Sequence, residues 1–173
     1  MGIVIRVQRE DFDVGAELDR LAADRGSVGG LCAFVGLVRD MSGQRAISAI
    51  ELEHYPAMTE RALEGIAAQA SARWPLDGSV VIHRFGRLEP GERIVLVGTA
   101  SAHRQAAFEA CEFIVDWLKT KAPFWKREHT DAGRRWVEAR ASDTAAVGRW
   151  GRGDAAGRGP SKSARGGPKK AAE

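Results

Sequence analysis

Cysteine is nearly missing from this chain. Cys32 and Cys111 stand far apart, too few and too distant for a disulfide framework or a metal-ligand cluster, and both are expected to be reduced core thiols. No apolar run approaches the roughly 20 residues of a bilayer span. The opening Met-Gly-Ile-Val-Ile-Arg-Val has no charged segment ahead of an apolar core and no small-residue cleavage site, so a cytoplasmic location is expected. There is no Gly-x-Gly-x-x-Gly turn, no P-loop and no internal repeat, which argues against a dinucleotide fold or a solenoid. The four histidines, His54, His83, His103 and His129, include no pair at the i, i+4 spacing of a helical zinc site. Neither a metal nor a cofactor is expected.

What is present is one domain's worth of globular sequence followed by a basic extension. The chain has 173 residues, a net charge of +3 and a pI near 9.1, values that suggest a nucleic-acid binder until the charge is located. Residues 151–173 hold six basic and two acidic side chains, so residues 1–150 are close to neutral. The extension lacks every large apolar residue and cannot offset its ordering entropy, so residues 151–173 are read as a disordered tail and 1–150 as the folded domain. Weak contact with RNA through the tail is a minor alternative to a solubilising role.

Along the domain, Ile3–Val7 reads as a strand, and Asp11 or Asp13 caps a helix with Val14, Leu18 and Leu21 on one face. Leu31–Val38 is nearly unbroken apolar sequence and reads as a buried strand, with Gly36 marking a bulge or a close approach and Arg39 emerging at its end. Ser48–His54 alternates as a half-covered strand. Pro56 then starts a helix whose stripe of Met58, Leu63, Ile66, Ala70 and Trp74 reads as core. Val80–Phe85 and Ile94–Val97 form a hairpin around a Pro90-Gly91 turn of type II. Ser101 is read as the cap of a helix that turns Phe108, Cys111, Ile114 and Leu118 to the core and Glu109, Glu112 and Asp116 away, ending at Lys119. A second hairpin joins Phe124–Thr130 to Arg135–Ala139. Strands outnumber helices and can mostly pair with their neighbours, so the fold class is α+β: a mixed, largely antiparallel sheet with two or three helices on one face.

The residues suited to chemistry are cations. Arg39 lies at a strand end, His103 and Arg104 at a helix start, and Lys119, Lys126 and Arg127 around Pro123, which stops the helix and biases Ala122 to an extended conformation. Each alone is more simply surface charge or a complement to a helix dipole. Together they suit a phosphate-bearing anion with a reactive centre beside lysines, because arginine forks and free helix amides bind phosphate while an amine can move protons. Cys111, on an apolar helix face, is a poor nucleophile.

Four motifs resemble the large, catalytic subunit family of molybdopterin synthase: Phe34-Val35-Gly36-Leu37-Val38-Arg39, Leu52 to Glu60, Ser101-Ala102-His103-Arg104, and Lys119 to Glu128. The likeness spans about residues 3 to 150. It implies a hammerhead-like α/β fold and a sulfurtransferase that converts cyclic pyranopterin monophosphate to molybdopterin. Sulfur would arrive as a thiocarboxylate on the C-terminal Gly-Gly of a small ubiquitin-like subunit, in a heterotetramer built on a dimer of large subunits. The resemblance makes Lys119 and Lys126 catalytic, gives Arg39, His103 and Arg104 the substrate, and lines the site with Leu37, Val38, Arg127 and Glu128, with one subunit's Arg104 completing its neighbour's pocket. A non-catalytic module that binds a ubiquitin-like or phosphorylated ligand through the same cations is the alternative.

Overall fold

The computed structural model describes residues 2–42, 45–131, 133–137 and 147–151. The tail expected to be disordered lies, from residue 152 onward, outside them, as do Glu138 and Ala139 of the second hairpin.

The strands divide between two four-stranded sheets. The first has the order β1 (Gly2–Gln8), β6 (Gly78–Arg84), β8 (Arg93–Ser101) and β2 (Gly30–Leu37), with β1 and β6 parallel and the other pairs antiparallel. The second, all antiparallel, has the order β10 (Gly133–Val137), β9 (Phe124–Thr130), β5 (Ala49–His54) and β7 (Gly86–Leu88). A small ribbon of β3 (Met41–Ser42) and β4 (Arg45–Ala46) follows β2. The α+β class and the mixed, largely antiparallel pairing are those expected. The expected hairpin is β6–β8, but Gly86, at φ +88°, turns the intervening residues into β7, which joins the second sheet.

Local chemistry sets the boundaries. Asp13 accepts from the Ala16 amide at 2.9 Å and opens α1 (Val14–Ala22). Pro56 opens α2 (Pro56–Arg73). α3 (Arg104–Lys121) runs one half-turn beyond Lys119 and stops at Ala122, whose ψ of 125° is what the following Pro123 demands. Gly36 serves both expected ends: the β2–β8 register shifts between it and Leu37, and a Cβ there would come within 2.7 Å of Val95. Ser101 is not the cap of α3. It ends β8, donating to the Pro75 carbonyl at 2.8 Å and accepting from the His103 amide, and His103 takes the cap position without a side-chain bond.

Helices cover both faces of the first sheet rather than one. Leu63, Ile66 and Ala70 of α2 and Cys111, Phe113 and Ile114 of α3 pack on Val81 and Val97, whereas Leu21 of α1 packs on Val80, Ile82 and Leu96, the alternate positions. Three expectations fail together. β2 is an edge strand, with Leu31, Phe34 and Leu37 exposed, because among the described residues no strand pairs with its outer side. Phe108 and Met58 are 57% and 51% exposed instead of joining the core. Asp116 is buried, held by Arg149 and Trp150. Among the described residues no helix is long and apolar enough to cross a membrane.

An aromatic stack closes the junction between the sheets: His83 of β6 lies on the Phe124 ring at 3.8 Å, and His54 lies 4.5 Å from Phe85. Burial pushes His83 down from 6.5 to about 4, against a contact to the Arg84 carbonyl that favours protonation, and burial lowers His54 as well. Because the folded pKa of His83 is depressed, the unfolded chain binds the extra proton between about pH 6.5 and pH 4. Stability therefore falls as pH drops through that window, by at most roughly 3 kcal/mol from this group. Denaturant titrations from pH 7 to 4.5 should show this loss, and His83→Phe should flatten it; an unchanged slope would exclude His83 as its source.

Candidate active site

The second sheet sorts the cations of β9 by strand alternation. Lys126 pairs with Leu52 and Glu128 with Ile50, both core residues, so Lys126 and Glu128 share the inward face. Arg127 pairs with Glu51 and is turned to the opposite face, where it meets Glu51 at 3.3 Å and Glu53 at 3.2 Å and lies over Trp136 at 4.2 Å. Its guanidinium is already engaged there and does not accompany Lys126.

Glu128 is the carboxylate around which the lysine's surroundings form. It is 3% exposed, with Lys126 Nζ at 3.0 Å, Arg135 of β10 at 3.8 Å and the Ser42 hydroxyl beside it. Burial alone would raise its pKa, but Lys126, Ser42 and Arg135 together leave it below the usual carboxylate value. Ser42 lies in the ribbon that follows Arg39, so the same carboxylate ties the Arg39 segment to β9. Val38 is buried in the cluster with Ile50 and Leu52, and its amide and carbonyl are both taken by the Gly91–Glu92 turn, at 2.9 and 2.8 Å. Val38 thus anchors its neighbours, while Leu37 and Arg39 on either side are exposed.

The position of Lys119 follows from how α3 lies on the first sheet. Thr99 bonds to the Ala107 carbonyl and Cys111 to the Val97 carbonyl, so one helical turn spans two strand residues, and two further turns bring Lys119 level with Arg93. Arg93 is paired with Leu37. Lys119 therefore stands at the Leu37–Arg39 end of the sheet, seven residues from Lys126 across the Pro123 turn.

His103 and Arg104 stand at the other end. From Arg104 to Lys119 along α3 is about 22 Å, and Gly30, which lies against Arg104, is about 23 Å along β2 from Leu37. Within one chain Lys126 pairs with Glu128, the register sets Lys119 towards the Leu37–Arg39 end of the first sheet, and His103 and Arg104 stand at the opposite end. Of the two grooves beside Asp11 and Arg93, of about 470 and 500 Å³, the second touches Leu37, and neither contains Lys119 or Lys126. Lys119 is exposed in the isolated chain, whereas Lys126 is half-buried.

Two features escaped the sequence. Cys32 and Cys111 are neighbours, with the Cys111 thiol pushed up by burial and by Cys32, which removes it as a nucleophile. Asp116 is held by Arg149 and Trp150, contacts between remote segments that no spacing rule reveals.

Residues 7–121 match the family model described as MoaE protein. The molybdopterin synthase catalytic subunit of Pseudomonas aeruginosa is 57% identical over 148 residues, covering 86% of this chain and 99% of that protein. That of Mesorhizobium japonicum is 56% identical, covering 84% and 92%. The solved structure of the molybdopterin biosynthesis MoaE protein from Burkholderia ambifaria superposes with a TM-score of 0.75 at 52% identity, covering 86% of this chain and 98% of that one. Sequence and architecture agree, and the chain belongs to the MoaE protein family.

Proposed function

We propose that this chain is the catalytic subunit of a molybdopterin synthase, and that each of its active sites is assembled from two chains. The enzyme converts cyclic pyranopterin monophosphate to molybdopterin with sulfur from a thiocarboxylate on a small ubiquitin-like subunit. Residues 1–150 form the catalytic unit. The observation that carries the two-chain reading is the length of α3. Lys119 and Arg104 lie about 22 Å apart, too far to touch one small substrate from within a single chain.

The edge of β2 offers the means to close that gap. Residues 30–38 carry no charge, and Leu31, Phe34, Leu37 and the nearby Phe108 of α3 are exposed. An unpaired apolar edge of this kind calls for a partner. Two β2 edges meeting antiparallel across a twofold axis would set the Gly30 end of one chain, with its His103 and Arg104, beside Leu37–Arg39 of the other. The open helix amides, His103 and Arg104 of one subunit and Arg39 of its neighbour then hold the phosphate. Lys119 stabilises charge developing on oxygen or sulfur during attack, and Lys126, held by Glu128, transfers protons and assists release of the partner's carboxylate.

Lys119→Ala should abolish dithiolene formation from the cyclic pterin while the small subunit still binds, and ordinary turnover in that variant would refute its catalytic role. Arg39→Ala should weaken pterin binding at least about tenfold with little effect on the partner complex, measured by calorimetry. Mixing Lys119→Ala with Arg104→Ala chains should restore about a quarter of wild-type activity, since half of the dimers are mixed and each then has one intact site. No recovery on mixing would mean that each site lies within one chain.

A further inference from the structure

The last described residues are fastened to the outer side of α2 and α3 by contacts that the chemistry above does not use. The Trp150 ring meets Phe113 and Trp74 edge to face, with centroids 5.4 and 5.7 Å apart. Its indole N–H donates to Asp116 Oδ2 at 2.8 Å, and Arg149 Nε donates to the same oxygen at 3.1 Å. Arg149 also reaches Glu112 at 2.9 Å, and Arg73, the last residue of α2, donates to the Trp150 carbonyl at 3.1 Å. Asp116 is 9% exposed, and a carboxylate is tolerated at such burial only where donors converge on it.

The location of this clasp gives it a consequence. Asp116 lies three residues before Lys119, and its own carbonyl accepts from the Thr120 hydroxyl at 3.3 Å. Helix ends fray, and α3 has only one half-turn beyond Lys119 before Pro123 ends it. The clasp joins the turn just before Lys119 to the C-terminal end of α2, and Trp150 packs against the same cluster as Trp117 and Leu118. An 18-residue helix would remain helical without this fastening; what the fastening fixes is the direction in which its last turn points.

We propose that Asp116 is a positioning residue for Lys119: with Arg149 and Trp150 it clamps the final turns of α3 to α2 and holds the lysine in the orientation that sulfur transfer requires. The proposal rests on the reading of Lys119 as a catalytic group. Misorientation of such a group lowers the rate of the chemical step without weakening substrate binding.

The test uses the full-length chain assembled with its thiocarboxylated small subunit and the cyclic pterin. Asp116→Asn and Trp150→Ala should each lower kcat about tenfold with the pterin KM within about twofold of wild type, and amide exchange over residues 117–121 should quicken. Trp150→Phe, which keeps the ring contacts and loses only the indole donor, should lie between wild type and Trp150→Ala. Unchanged kcat despite faster exchange, or a loss confined to KM, would overturn the clamp. If Asp116→Asn does not fold, the two Trp150 variants decide by the same criteria. Lys119→Ala in the same assay separates the two levels: an active Lys119→Ala enzyme removes both readings, whereas an inactive one beside fully active clasp variants removes only the clamp.

Discussion

The length of α3 is the constraint on which the site depends. A helix is a rigid spacer, and from Arg104 to Lys119 this one sets about 22 Å between the two groups of cations proposed to meet one substrate. β8 and β2 run alongside and enforce the same separation, since the register from Gly30↔Ser101 to Leu37↔Arg93 fixes which strand end meets which helix end. No side-chain rotation closes such a gap. On the proposed reading the fold supplies phosphate-binding groups and lysines to one substrate by repeating itself, and a twofold axis at the β2 edge would do this with a single new interface.

That edge explains why the apolar pattern misleads in one direction. Leu31–Val38 has the composition of a strand covered on both sides, and it is half exposed in the isolated chain because it is the last strand of its sheet, the edge that the proposed twofold contact would cover. Phe108 has the same origin: its helical spacing is that of a core residue, and it reaches past the strand that should cover it. Apolar spacing in a sequence does not say which molecule covers a face, and the single chain shows only burial within itself.

Local physics made most of the fold legible. The Asp13 cap, Pro56 at a helix start, the Pro90-Gly91 turn, the bulge at Gly36 and the Pro123 stop each act within a few residues, and each stands where its chemistry places it. The division into two sheets was not legible, because Gly86 moves three residues from an expected hairpin to a strand remote in sequence. Ser101 was misread for a related reason: the Pro75 carbonyl, 26 residues away, holds the hydroxyl that a local rule gives to the helix. For the site, the motifs named the residues, but which face of β9 each occupies, and the distance between the two ends of α3, follow only from strand register and helix length. The buried acids Glu128 and Asp116 were invisible as such, since their donors, Arg135, Ser42, Arg149 and Trp150, come from other segments.

Those two acids distinguish the lysines. Lys126 has a buried counter-ion at 3.0 Å, so a proton lost or gained there also makes or breaks an ion pair, and Arg135 and Ser42 remain to steady the carboxylate when it does. Proton exchange with a leaving group suits a lysine supported in this way. Lys119 forms no salt bridge among the described residues and stands at the exposed end of a helix whose preceding turn is fixed by Asp116. A cation without an ion-pair partner among the described residues can direct its whole charge to a reacting atom, provided its support does not move. The clasp supplies that support through the backbone, just as Glu128 supplies it to Lys126 through charge. Two lysines seven residues apart are thus supported in different ways, and the difference lies in the carboxylate behind each.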